Sequence, residues 1–281
     1  MNPAYAVAVV SSVVFGTADF LGGIAARRAS TLTVTFASGA AGLVSLCIAA
    51  PFIRGVALPV DYVWGGAGGL CGGLGVALLY RALAIGPVSV AAPVVSLVAL
   101  SLPIVVGVAL GERPAPLAIL GMAFAAGSFP LISNTGQREG PRDPRARRSM
   151  IAISLVSGVL VGGFLVCIGR VSRDAGLAPL FAARLTTVVV FAVILLVRRV
   201  PAWPTGVVVP TLGAGFLDSF ANVAYFVAVR SGPLAIVGTI VSLAPATTVL
   251  LARLVLRERW TIPQRFGLVF AGAAIVCVSL G

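Results

Sequence analysis

Lysine and histidine are both absent from this chain, and all 20 basic residues are arginine. Without histidine, imidazole catalysis and histidine metal ligation are excluded. Without lysine, a GxxxxGK[ST] phosphate loop cannot be built, so any ATP coupling would need another subunit. Carboxylates are scarce, eight in all, and none are paired closely in sequence as acid–base catalysis would want. The four cysteines, Cys47, Cys71, Cys167 and Cys277, fall inside apolar runs with no CxxC spacing, which supports neither a zinc site nor a disulfide framework. We expect no metal and no cofactor. Only 10% of residues are charged, against about 25% in water-soluble domains.

What is present is apolar: 59% hydrophobic residues in a chain of 281, with mean hydropathy +1.10. Such a chain cannot cover itself with polar surface, so the lipid bilayer is its solvent. The net charge of +12 does not indicate nucleic acid, because the arginines sit in pairs between apolar segments without interleaved aromatics. The first apolar segment lacks a basic leader and runs well past 15 residues; it reads as a retained helix rather than a cleaved signal.

About 20 apolar residues are needed to cross the hydrocarbon core. Ten segments qualify: 4–26, 31–53, 61–83, 88–110, 115–133, 150–171, 177–197, 207–229, 234–256 and 262–280. The breaks carry glycine, proline or charge, and the segments lack the two-residue alternation of a membrane barrel. The one long polar stretch, NTGQREGPRDPRARRS at 134–149, reads as a flexible linker.

That linker lies near the midpoint, and the two sides repeat. Shifted by 146, residues 86–127 match 232–273 at 11 of 42 positions without a gap. The pairs include Gly86/Gly232, Pro87/Pro233, Ser96/Ser242, Glu112/Glu258 and Arg113/Arg259; Gly16 falls on Gly162. Each half then holds five helices. Because five is odd, the second half enters the membrane from the opposite side. The expected fold is an all-α integral membrane protein of ten transmembrane helices in two inverted five-helix repeats, 1–133 and 150–281, joined by a basic linker, 134–149. Loops after the odd-numbered helices hold 13 arginines and the others five. The positive-inside rule puts the linker in the cytoplasm and both termini outside.

The paired halves, the glycine in the first helix of each, the GER and RER turns at 111–113 and 257–259, and the stretch FGTADFLGG (15–23) resemble the EamA-type, ten-helix permeases of the drug/metabolite transporter superfamily. The resemblance spans nearly the whole chain. It implies a secondary transporter of the inner or plasma membrane, usually an exporter of small metabolites. It also implies a central cavity lined by helices 1, 3, 4, 6, 8 and 9.

Charged groups inside spans are the natural candidates for solute or proton binding, since each costs several kcal/mol at mid-membrane unless it faces a cavity or partner. Asp218 lies deepest, with Asn222 and Tyr225 on the same helical face, and is the first choice. Asp19 shares a face with Gly16. Arg184 can pair with Asp218 or hold a solute carboxylate, in which case one acid and one base would suit a zwitterion. None of the three charges recurs at its repeat partner (Leu165, Gly72, Ser38). Ser96, Ser242 and Tyr80 complete the candidate site. Gly16, Gly86, Pro87, Pro93, Glu112, Arg113, Gly232, Pro233, Glu258 and Arg259 read as structural. The expected partners are a small solute and lipid, with no nucleic acid, in a monomer or homodimer. A facilitative or uptake carrier is the alternative, a channel is disfavoured by the scarce polar groups, and an intramembrane enzyme lacks a candidate nucleophile–base pair.

Overall fold

The computed structural model describes residues 3–52, 55–86, 88–111, 113–132, 144–172, 174–256 and 261–280. Every regular element among them is helical. In chain order these are α1 (Pro3–Ala26), α2 (Thr31–Ala49), α3 (Pro59–Ile85), α4 (Val88–Ala109), α5 (Pro116–Ile132), α6 (Pro144–Gly169), α7 (Ala178–Arg198), α8 (Val208–Ser231), α9 (Leu234–Val241), α10 (Ala244–Leu256) and α11 (Ile262–Leu280). Eight stretches are long and apolar enough to span a membrane, one of them formed by α9 and α10 together. Hydrocarbon offers no partner for backbone N–H and C=O groups, so helices that satisfy their own backbone are the form these runs must take.

Two boundaries differ from expectation. The segment expected as one helix over 234–256 is broken at Ser242–Leu243. Pro245 has no N–H to give the Val241 carbonyl, so the helical ladder is interrupted there. Meanwhile α6 starts at Pro144, ahead of the expected 150, and takes Arg145, Arg147 and Arg148 into its first turns. Proline at the first helical position needs no backbone donor, which suits this start.

Each long helix turns one face inward and leaves apolar side chains exposed on another. On α7, Leu185, Val189, Val193 and Leu196 form an exposed apolar stripe, while Pro179, Ala183, Thr187, Phe191 and Leu195 are buried. Lipid is as apolar as leucine, so helix association rests on close packing rather than on removal of apolar surface from water. The glycine-rich α3 shows how this is done. Gly65, Gly69 and Gly73 abut Pro179, Ala183 and Thr187 of α7, so closely that a Cβ at Gly69 would strike the Ala183 carbonyl. Gly68, Gly72 and Gly75 on another face receive Cys167, Phe164 and Val161 of α6. The glycine density of α3 is therefore a pair of packing seams.

The helices pack in pairs that exchange under the shift of 146. α1 packs on α8 and α3 on α6; α2 packs on α8 and α3 on α7; α1 packs on α10 and α4 on α6. One hydrogen bond is duplicated the same way: Ser11 Oγ donates to the Ala221 carbonyl at 2.8 Å and Ser157 Oγ to the Gly75 carbonyl at 2.7 Å. The two glycines that match at the turns of the repeat are likewise both extended, Gly86 at φ −145° and Gly232 at φ −147°. Pro87, Glu112, Glu258 and Arg259 lie outside the described residues, and Arg113 is exposed.

Not every contact is copied. The Asp61 carboxylate, at the start of α3, accepts hydrogen bonds from the Leu58 N–H at 2.8 Å, the Ser172 N–H at 2.8 Å and the Ser172 hydroxyl. It ties the segment before α3 to the segment after α6, where the Val56 N–H also donates to the Asp174 carbonyl at 2.8 Å. Its repeat position is Val207.

If the α3–α7 seam is a packing requirement, Gly69→Leu lowers thermal stability in detergent by about 3 kcal/mol or more, through overpacking against backbone. Gly272→Ala, where a Cβ meets nothing within 4 Å, leaves the midpoint unchanged or slightly raised.

Candidate functional site

A cavity of about 1160 Å³, counting the solvent space at its opening, lies among α1, α2, α3, α4, α6, α7, α8 and the α9–α10 break. Its wall includes seven of the eight candidate residues: Asp19, Tyr80, Ser96, Arg184, Asp218, Asn222 and Ser242. The eighth, Tyr225, is not among the lining residues. It is fully buried, and its hydroxyl donates to the Leu165 carbonyl at 2.7 Å, pinning α8 to α6. Thr211, on the same stripe of α8, donates to the Val207 carbonyl of its own helix. The polar face expected of α8 thus divides into a cavity portion, Asp218 and Asn222, and a packing portion.

Arg184 and Asp218 form an ion pair across α7 and α8. Close approach makes the pair possible. Gly215 on α8 lies against the Ser38 backbone of α2, and a Cβ on Gly42 would come within 3.2 Å of Arg184 Nε. The Asn222 amide donates to the Asp218 carbonyl at 2.7 Å and to Asp218 Oδ2 at 3.1 Å. Both contacts require the NH₂ group on that side, which fixes the amide orientation and turns Asn222 Oδ1 away, buried and without a partner.

Asp19 differs in kind. It lines the cavity from α1, half-buried, with no hydrogen bond or ion pair among the described residues. One turn further, Gly22 makes room for the Tyr80 ring, since a Cβ there would overlap the phenol. Tyr80 lines the same wall as Asp19, Ser38 and Arg184. Sequence reasoning missed Gly22, Gly42 and Ser38. The glycines carry no chemistry of their own, and nothing local says which of the chain's 33 glycines opens space for a polar side chain. Ser38 was visible only as the repeat partner of Arg184.

The cavity wall is itself duplicated. Eight pairs of lining residues are related by the shift of 146: Phe15/Val161, Asp19/Leu165, Ser38/Arg184, Gly72/Asp218, Val76/Asn222, Val95/Val241, Ser96/Ser242 and Ala99/Pro245. The cavity therefore sits where the two halves meet symmetrically, while its charges are asymmetric. The helix break is asymmetric too, because α4 runs unbroken past Ser96 where α9 stops before Ser242.

The EamA-like transporter family matches the chain twice, over residues 2–134 and 148–280. The chain belongs to the EamA-like transporter family. The two matches are offset by the same 146 residues that relate the halves of the cavity wall. An EamA-like chain of this composition is a multi-pass membrane protein from a family of small-solute transporters. Sixteen chains of solved structures match it. One, known from its crystal structure, is 17% identical, with 96% of each chain covered and a TM-score of 0.70; at that identity it shows a shared fold. No curated protein matches.

Removing one member of the buried pair strands the other's charge, which costs about 3–5 kcal/mol, whereas replacing both by apolar residues is often neutral. Arg184→Leu should therefore destabilise the detergent-solubilised protein strongly, and Arg184→Leu with Asp218→Leu should recover most of the loss. Equal destabilisation by the single and double variants in a thermal melt would contradict the pairing.

Proposed function

We propose that this protein is a secondary carrier that exports a small polar metabolite by alternating access, with Asp19 binding a proton or the solute in turn. The observation that carries the reading is the contrast between the two cavity acids. Asp218 is neutralised by Arg184 and by the Asn222 amide. Asp19 faces the same cavity with no protein partner among the described residues. A carboxylate in a water-poor wall is costly until something neutralises it. A proton from one side and a cation from the other can each do so, and mutual exclusion at one carboxylate couples the two fluxes. This ordering of the acids reverses the first choice made from depth in the span.

Alternating access asks for two halves that exchange roles. The helix pairs that interchange under the shift, the duplicated serine bond and the paired cavity wall support a two-fold relation between halves, because a contact and its mirror are both present. Counting α5 and α11 as spans beside the eight gives ten, five to a half; that axis then lies in the membrane plane and the repeat is inverted. The linker at 134–149 is then cytoplasmic and the termini outside, as the arginine distribution asks. Export rather than uptake rests on family likeness.

The test is transport in proteoliposomes bearing a pH gradient, with a panel of labelled amines, amino acids and drug-like cations. A transported solute should show saturation, counterflow and collapse of accumulation with a protonophore. Asp19→Asn should reduce gradient-driven accumulation to the level of empty liposomes, while Asp218→Asn retains part of it. Full accumulation by Asp19→Asn would remove the coupling assignment.

A further inference from the structure

Resting on the carrier reading above, the hydrogen-bond inventory of the cavity wall identifies the chemical class of its solute. Three hydroxyl donors in the wall are spent on the protein. Thr35 Oγ1 donates to the Thr31 carbonyl at 2.9 Å, Ser38 Oγ to the Thr35 carbonyl at 3.1 Å and Thr187 Oγ1 to the Gly69 carbonyl at 2.8 Å. The Arg184 guanidinium is held by Asp218, and the Asn222 NH₂ group by Asp218 as well.

Three backbone donors at the helix break are spent too. The Ser242 N–H goes to the Gly238 carbonyl at 2.9 Å, the Leu243 N–H to Ile240 at 3.2 Å and the Ala246 N–H to Leu243 at 3.0 Å. Pro245, second in α10, has none. The first turn of α10 is therefore a poor cradle for an anion, although it opens on the cavity.

Acceptors are left over. Asn222 Oδ1 and Ser242 Oγ are buried, each residue only 5% exposed, with no partner. Asp19 adds a carboxylate with two oxygens. With Arg184 and Asp218 cancelling, Asp19 leaves the wall one negative charge. The hydroxyls of Tyr80, Ser96 and Ser242 and the Arg184 N–H groups that Asp218 does not take could still donate, but among the described residues of the wall no cation is left unbalanced to hold an anion's charge.

We infer that the cavity takes a monocation carrying N–H donors, a primary or secondary ammonium on an apolar body. Asp19 meets the charge, Asn222 Oδ1 and Ser242 accept N–H bonds, and Phe15 and Phe164 of the wall meet the body. A zwitterion would bring a carboxylate to a wall whose one cation, among the described residues, is already balanced by Asp218. One ammonium then displaces one proton from Asp19, and charge balances.

Calorimetric titration of the purified, detergent-solubilised protein with four isosteric probes tests this: 2-phenylethylammonium, its N,N,N-trimethyl analogue, 3-phenylpropionate and phenylalanine. The ammonium should bind saturably, and the trimethyl analogue, which keeps the charge but has no N–H, about tenfold more weakly or worse. The carboxylate should not bind. Ser242→Ala, which removes a hydroxyl without a hydrogen-bond partner among the described residues, should weaken the ammonium several-fold and leave the trimethyl analogue unchanged. Asn222→Leu should do the same more strongly. Binding of 3-phenylpropionate or phenylalanine as tight as the ammonium, or no binding of any probe, overturns the inference. Flux of the ammonium through proteoliposomes is read separately: binding without saturable flux would remove the carrier reading and leave the solute class standing.

Discussion

A carboxylate withdrawn from water must be neutralised, and this protein does so in two ways within one cavity. Asp218 is neutralised permanently, by an arginine from a neighbouring helix and an amide from its own. Asp19 lines the cavity without such a partner among the described residues, and in the proposed function a proton or the solute neutralises it. If both acids had fixed partners, the cavity would be a filled core. If neither had one, the uncompensated charge would cost about 2.5–3.5 kcal/mol per group on insertion scales, a large part of the stability of a protein of this size. One fixed pair and one open site keep the fold stable and the site reactive.

The scaffold around these acids is built from small residues. Glycine seams on α3 let α6 and α7 approach its backbone, Gly16 admits α10 to α1, and Gly215 admits α2 to α8. These seams are duplicated, as are the serine hydrogen bonds that lock them. What is not duplicated is the chemistry: Asp19 faces Leu165 across the repeat, Asp218 faces Gly72, and Arg184 faces Ser38. A symmetric frame can present one cavity to either side, whereas an asymmetric solute needs an asymmetric set of contacts, so the two requirements fall on different residues.

The fold was largely readable from hydropathy, since length and apolarity dictate helices in lipid. The shift of 146 was readable from the GP and ER pairs, and seven of the eight candidate site residues reach the cavity wall because charge and polarity within spans are costly enough to be placed deliberately. Other features were not readable. Tyr225 follows Asn222 by three residues and shares its stripe, yet a helical face is wide enough for one residue to meet the cavity and the next to meet a neighbouring helix. The break at Ser242 turns on Pro245, but α4 carries Pro93 and Pro103 and stays continuous, so proline alone does not announce a break. The choice between Asp19 and Asp218 depended on which acid the arginine reaches, a question of tertiary geometry set by Gly42 and Gly215 rather than by depth in the span.

The central claim is that Asp19 exchanges a proton for the solute while the Arg184–Asp218 pair remains closed. Proton release on binding tests it most directly, in weakly buffered detergent solution with a pH indicator and 2-phenylethylammonium as the titrant. The account predicts up to one proton released per ammonium bound by the native protein, highest at the acid end where the site is protonated beforehand, and none by Asp19→Asn. Undiminished release from Asp19→Asn, or solute binding by the native protein with no release at any pH, would contradict it.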